Sequence, residues 1–334
     1  MEMSSRKSLL IALLCIAATA GAATKKQTHA PSPVARLDRS VLDEDLPAAP
    51  DRKMPGARLD PRDFHQLADG ELPLAAQGAV VLDGATGRTL YAKNPDEPHY
   101  PASTTKIMTA LLIIEEGDLD CEVEVTPEDA RVGESSLNLK PGEHYPRRQM
   151  LFGMMLKSAN DVAATLARDN AGSVEAFALK MTVRAKELGA THTSFRNPHG
   201  LHHPEHFTTA HDLALIARAA MQQPLFRQIV GTLEHPWVTT YSMVQLRNHN
   251  RMLWQFPGCT GIKTGYTIPA QQVLASAAMR EGREVIAVVM HTDKPGIWED
   301  SKLLITYGLE HPPGLADTGE GSKKSELHPL APAP

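Results

Sequence analysis

A layered α+β fold is what the order of patterns along this 334-residue chain predicts. Two observations carry that expectation. Helical periodicity fills the middle of the chain, and strand-like runs lie on both sides of it. Tight-turn residues separate neighbouring strand runs, so the strands belong together and the helices pack against them as a layer.

The first structured piece reads as a hairpin. Residues 79–82 and 88–91 are strand-like and flank the turn cluster Asp83-Gly84-Ala85-Thr86-Gly87. Pro101-Ala102-Ser103 then opens a helix in which Ile107, Met108, Leu111, Leu112 and Ile114 recur at helical spacing, with Gly117 as the expected stop. The stretch 147–170 reads as helix, a break near Ser158, and helix again. Residues 173–188 form a further helix with Gly189 as its C-terminal cap, and 209–221 another. In the last third the period changes. Residues 261–265, 273–278 and 285–290 read as strands, with Glu281-Gly282-Arg283 as one of the turns. A closing helix runs from about Ile297 to Tyr307 and is expected to end near Gly308. No internal repeat is visible.

Composition bounds the function. Hydrophobic residues make up 42% of the chain and charged ones 22%, enough for a substantial core. The net charge of -5 argues against a dedicated nucleic-acid binder. Arg6 and Lys7 precede an apolar run from Leu9 to Ala18, and Ala20-Gly21-Ala22 follows. That is the pattern of a signal peptide over 1–22. The run is shorter than the roughly 20 residues of a membrane span. The expected product is exported, periplasmic or extracellular, with no transmembrane segment after cleavage; an uncleaved N-terminal tether is the alternative. Leu14 before Cys15 fits lipoprotein processing poorly. Residues 23–73, rich in Pro, Ala and charge, read as a flexible linker, 74–310 as the folded domain and 311–334 as a disordered tail. Cys121 and Cys259 are expected as separate thiols, although an exported chain could pair them.

Three short motifs carry chemistry. Ser103-Thr104-Thr105-Lys106 is S-x-x-K, Ser158-Ala159-Asn160 is S-x-N, and Lys263-Thr264-Gly265 is K-T-G. At a helix start, residues i and i+3 share a face, which sets the Lys106 amine beside the Ser103 hydroxyl. Serine is a poor nucleophile until a base takes its proton. Lysine becomes such a base when burial and a second cation lower its pKa, and Lys263 is the candidate cation. Unpaired N–H groups at a helix start can hold an oxyanion. Taken singly, each motif has a bland reading: Ser103 or Ser158 as a helix cap, Lys106 as a solvated charge, Asn160 as a turn residue, the K-T-G run as an ordinary strand end. All of these would have to hold together to dismiss a site.

The likeness extends beyond the trio. Val81-Leu82-Asp83 with Gly87, residues 101–110, Lys157-Ser158-Ala159-Asn160-Asp161, Asn197-Pro198-His199-Gly200-Leu201 and residues 261–267 all share it. Over about 75–309 the chain resembles the low-molecular-mass penicillin-binding proteins, the D-alanyl-D-alanine carboxypeptidase family. The resemblance implies the β-lactamase/transpeptidase-like fold, an antiparallel sheet flanked by helices with a helical lobe beside it. It implies removal of the terminal D-alanine from peptidoglycan stem peptides through an acyl-enzyme on Ser103, with β-lactam antibiotics as covalent inhibitors and no cofactor. Lys106 would accept the Ser103 proton, and Ser158 would relay one to the leaving D-alanine. Asn160 would position Lys106 and the substrate amide. Lys263 and Thr264 would bind the terminal carboxylate, and the N–H groups of Ser103 and Tyr266, just past Gly265, would form the oxyanion hole. A DD-endopeptidase or weak β-lactamase on the same site, and a non-catalytic wall-binding scaffold, are the competing expectations.

Several features depart from the family pattern. Glu134-Ser135-Ser136-Leu137-Asn138 matches the E-x-x-L-N run that carries the deacylating glutamate of class A β-lactamases, yet it precedes Ser158 instead of following it. It is expected to lead into a strand before Pro141-Gly142. Ile297 stands where relatives often carry a carboxylate-binding arginine, with Lys294 the nearest cation. Ala270-Gln271-Gln272 is expected to reshape the pocket rim. His199, His202, His203, His206 and His211 cluster, but without a recognised metal-ligand spacing. A solvated loop is expected there, and no metal. The polar, Pro-rich stretch 325–334 leads to the expectation of a single catalytic domain without the β-rich domain and amphipathic anchor of some relatives.

Overall fold

Period-two alternation builds the sheet. The computed structural model describes residues 71–311; the expected signal peptide, most of the linker and the tail lie outside the described residues. Strands β1 (Gly78–Asp83) and β2 (Thr89–Lys93) form the first hairpin. The second group is β7 (Cys259–Thr267), β8 (Gln271–Arg280) and β9 (Arg283–Thr292). Together they make a five-stranded sheet in the order β2-β1-β9-β8-β7. Every neighbouring pair is antiparallel. The turn between β8 and β9 is Glu281-Gly282, with φ of 52° and 78°. Positive φ at both central residues matches the right-handed twist of the strands. Arg283 already belongs to β9.

The alternation sorts the apolar residues into two layers. Val80, Leu82, Val273, Ala275, Ala277, Ile286, Val288 and Met290 join the larger buried cluster, shared with the helical lobe. Ala79, Val81, Leu274, Ala278, Val285, Ala287 and Val289 join a smaller cluster under the last helix, α8 (Gly296–Glu310). Gly308 does not end that helix as expected. It lies inside it, where a Cβ would sit 2.5 Å from Val81 Cγ1. The glycine serves close packing, not chain reversal.

The lobe consists of α1 (Lys106–Glu115), α2 (Arg147–Lys157), α3 (Asn160–Ala171), α4 (Val174–Glu187), α5 (Ala210–Met221) and α6 (Pro224–Gly231). Helix α1 is buried from Lys106 to Ile113, as befits a central helix without a solvated face. Ser173 caps α4 through Oγ to the Ala176 N–H at 3.0 Å, and Thr209 caps α5 through Oγ1 to the Asp212 N–H at 3.1 Å. Three pieces have no counterpart in the sequence reading. They are the pair β3 (Glu122–Glu124) and β4 (His144–Pro146), the hairpin β5 (Glu234–Val238) and β6 (Met243–Arg247), and α6 with the short α7 (Met252–Gln255). The first pair is too short to show a period. Pro236 interrupts the signal of β5, where only Trp237 is buried. In α6, Pro224 occupies the first turn, where a missing N–H costs nothing.

Candidate active site

The nucleophile candidate sits on a sharp bend. Ala102–Thr105 is a 3-10 turn that runs into α1. Ala102 before Ser103 takes φ 47°, a left-handed conformation that an alanine adopts only under constraint. Two glycines supply the constraint. At Gly200 (φ 91°) a Cβ would lie 1.8 Å from the Ala102 oxygen. At Gly265, in the K-T-G run, a Cβ would lie 2.9 Å from the Ser103 nitrogen and 3.0 Å from the Pro101 oxygen. Strand β7 therefore presses its backbone against the peptide of Ser103, and only glycine permits that approach.

Lys106 has almost no exposed surface. Its Nζ lies 3.0 Å from Ser103 Oγ, 2.7 Å from Asn160 Oδ1 and 2.7 Å from the His199 carbonyl oxygen. The last two groups can only accept, so two of the amine's N–H bonds go to them. The remaining tetrahedral direction faces Ser103. In the neutral amine that direction holds the lone pair. Burial, and then the neighbouring Lys263 charge, hold Lys106 well below the usual lysine range; Asp161 and Glu134 oppose the shift. The geometry and the charge state thus both suit an amine that takes a proton from Ser103.

Lys263 is the second buried lysine. Its Nζ donates to Ser158 Oγ at 3.1 Å and to the Thr264 carbonyl at 2.9 Å. Burial brings it down to about 7. Ser158 itself links α2 to α3 with φ 61° and ψ 28°. The break expected near it is this left-handed residue, which turns its hydroxyl toward Lys263. Thr264 is half-buried and Tyr266 largely exposed further along β7. The S-x-x-K, S-x-N and K-T-G residues are therefore brought to one place.

Two expectations are corrected beside the site. The segment Glu134–Asn138 is no lead-in to a strand; it is irregular chain that wraps the S-x-N turn. The Ser135 carbonyl accepts from the Asn160 N–H at 2.7 Å, Ser135 Oγ donates to the Lys157 carbonyl at 2.8 Å, and the Gly133 carbonyl accepts from Asn160 Nδ2 at 3.0 Å. The histidine run is not simply solvated either. His199 and His206 are buried, and burial first of all pushes each down to about 3, so both are neutral. His206 Nδ1 accepts from the Arg196 N–H, which leaves Nε2–H to donate to Thr105 Oγ1 at 2.9 Å. His202 packs edge-on against Tyr100. Among the described residues no group of three or more His, Cys, Asp or Glu could hold a metal ion. Cys121 and Cys259 are free thiols. Ile297 is buried in the small cluster under α8, and Lys294 is exposed before that helix.

Sequence reasoning missed the backbone partners. The His199 carbonyl and the Gly200 approach lie within the Asn197-Pro198-His199-Gly200-Leu201 run, which carried likeness but no assigned role. Asn197 shapes that turn: its Oδ1 accepts from the His199 and Gly200 N–H groups at 3.3 and 2.7 Å, and its Nδ2 donates to the Leu201 carbonyl at 2.9 Å.

Known proteins of one family resemble this chain in sequence and in fold. A family profile described as D-alanyl-D-alanine carboxypeptidase matches residues 65–294. The D-alanyl-D-alanine carboxypeptidase DacF of Bacillus subtilis is 38% identical over an alignment of 231 residues that covers 67% of this chain and 59% of that protein. DacB2 of Mycobacterium tuberculosis, with the same description, is 34% identical over 72% of this chain and 85% of its own length. The crystal structure of the Streptomyces K15 DD-transpeptidase superposes with a TM-score of 0.68 at 31% identity, covering 72% of this chain and 99% of that one.

Proposed function

The chain belongs to the D-alanyl-D-alanine carboxypeptidase family, and on that premise we propose that it is a serine hydrolase removing the terminal D-alanine from peptidoglycan stem peptides. Its fold is the β-lactamase/transpeptidase-like α+β fold. The observation that carries the proposal is the contact between Lys106 Nζ and Ser103 Oγ at 3.0 Å, with the lysine buried beside a second buried lysine.

The placement of groups supports the following course. Lys106 takes the Ser103 proton while Oγ attacks the carbonyl carbon of the penultimate D-alanine. The oxygen of the tetrahedral intermediate is held by the N–H groups of Ser103 and Tyr266, which the close approach at Gly265 favours. Ser158, hydrogen-bonded to Lys263, passes the proton that Lys106 took from Ser103 to the leaving amine of D-alanine, which returns Lys106 to its neutral form. The C–N bond breaks and an ester to Ser103 remains. Water then cleaves the ester and returns the proton to Ser103. Lys263 in its protonated form and Thr264 bind the terminal carboxylate, while Asn160 holds Lys106 and the substrate amide. A β-lactam presents the same carbonyl in a ring, so its opened leaving group stays attached and blocks water.

The substrate places the work outside the cytoplasmic membrane. Among the described residues no helix is long and apolar enough to cross a membrane.

The test is intact mass after incubation with benzylpenicillin, on wild type and Ser103→Ala, beside an assay of D-alanine release from a stem pentapeptide. A one-to-one adduct and D-alanine release are expected for wild type alone. Folded wild type that gives no adduct, no drug hydrolysis and no D-alanine would overturn the proposal.

A further inference from the structure

The orientation of Asn160 is not a property of the S-x-N turn alone. An amide can face Lys106 with either end, and only its oxygen can accept from the amine. The end is chosen by the opposite contact, because the Gly133 carbonyl can only accept and so demands Nδ2 at 3.0 Å. The Asn160 N–H is likewise fixed by the Ser135 carbonyl at 2.7 Å. Both carbonyls belong to the irregular segment that passes over the turn. What holds that segment is Asp161, a fully buried side chain on the first turn of α3.

Asp161 accepts from Ser136 Oγ at 2.6 Å, from the Leu137 N–H at 3.2 Å, from the Leu139 N–H at 3.1 Å and from the Val162 N–H at 2.9 Å. Three of these donors lie on the segment that orients Asn160. Nothing in the proposed reaction uses Asp161, and the E-x-x-L-N likeness of the segment points elsewhere, to Glu134. Resting on the reading of Ser103 and Lys106 given above, we propose that Asp161 and Ser136 are positioning residues, which clasp residues 133–139 over the S-x-N turn so that Asn160 presents its oxygen to Lys106. The Glu134 likeness to a deacylating base is then incidental to the role of its loop.

Charge gives the clasp a signature that mere support lacks. Lys106 is faced by Lys263 from β7, by Asp161 from α3, by Glu134 from the loop and by the neutral His199 and His206 between α4 and α5. Tyr145 of β4 also senses the Asp161 carboxylate. Asp161 favours the protonated form of Lys106. Its removal lowers the pKa of Lys106, so the neutral base persists to lower pH. The acid limb of the acylation rate must then move to lower pH even as the rate falls. Ser136→Ala removes one hydrogen bond and no charge, so its acid limb must stay.

The experiment measures the second-order rate of benzylpenicillin acylation from about pH 5 to about pH 10 for wild type, Asp161→Asn and Ser136→Ala. Misplacing Asn160 should slow Asp161→Asn about 10- to 100-fold at the plateau, since small displacements carry costs of that order. Ser136→Ala should slow by several-fold. Wild-type rates in both variants would overturn the proposal, as would a slowed Asp161→Asn with an unmoved acid limb. If Asp161→Asn does not fold, an unchanged rate in Ser136→Ala overturns it. A wild type that neither acylates nor releases D-alanine would instead sink the proposed function.

Discussion

The two faces of the five-stranded sheet share the same central strands and are both apolar, but they differ in the polar groups buried beside them. On the α8 side the packing is apolar, with Ile297, Leu304 and Ile305 against Val81, Val285 and Val289. The one buried acid of that helix, Asp300, accepts from the Ala75 and Ala76 N–H groups at 3.2 and 2.8 Å. On the lobe side Lys106, Lys263, Ser158, Asn160 and Asp161 are all buried. Ala102 and Ser158 there hold left-handed backbone conformations. Burying a cation without an anion in contact costs stability, and so does strain at a non-glycine residue. The difference teaches where stability and reactivity are kept. Both faces supply apolar burial, and only the lobe face also uses it to hold amines in a state they would not adopt in water.

The comparison is sharpened first by Lys106→Met, which should produce the largest loss. Removing the base is expected to slow benzylpenicillin acylation by about 10³-fold. Stability should change far less. The desolvation of a buried amine disappears, which is favourable, while Asn160 Oδ1 and the His199 carbonyl lose their donor, which is not. Stopped-flow acylation and a thermal melt on the same sample check this. Retained acylation, or a melt that collapses with it, would break the division between the two faces.

Lys263 should matter less, and through pH. Burial brings its pKa down to about 7. Only its protonated form attracts a carboxylate, so kcat/KM for a D-Ala-D-Ala substrate should fall as pH rises through that value. Lys263→Met should abolish this alkaline limb. It should also lower kcat/KM by roughly 10- to 100-fold, the value of a charge-assisted hydrogen bond of about 1.5–3 kcal/mol. The same change removes the cation that lowers Lys106, so the acid limb should move to higher pH. That is the reverse of the shift expected from Asp161→Asn. An alkaline limb that survives in Lys263→Met would assign the titration to another group.

How much of this was legible in the sequence depends on which atoms do the work. Ser103 and Lys106 were legible because their contact is local and follows from helical spacing. The break at Ser158 and the strands around Lys263 were legible as patterns. Their meeting was not, since 105 positions separate Ser158 from Lys263, and only the resemblance joined them. The carbonyls of Gly133, Ser135 and His199 were invisible because a backbone oxygen has no residue type. The buried state of His199 and His206 was missed because a dense histidine run reads as polar whatever it packs against. Gly308 was misread for a different reason: glycine permits both a left-handed turn and a close approach, and the letter does not say which.

That ambiguity gives the smallest expected effect and the cleanest control. In Gly308→Ala the new Cβ would lie 2.5 Å from Val81 Cγ1 and 3.3 Å from Val285 Cγ1, so the helix or the strand must shift. Overpacking of this kind costs about 1–3 kcal/mol. Alanine in place of a helical glycine returns up to about 1 kcal/mol, and less in a last turn such as this one. The net loss of about 1 kcal/mol should lower the melting temperature by roughly 2–4 °C. The acylation rate should stay at the wild-type value, because the crowding falls on the apolar face. Pairing the change with Val81→Ala should cost less than the sum of the two single changes, since Val81 is the atom in the way and its loss relieves the clash. A Gly308→Ala protein that melts normally but acylates slowly would show that strain crosses the sheet, and that the two faces are one mechanical unit.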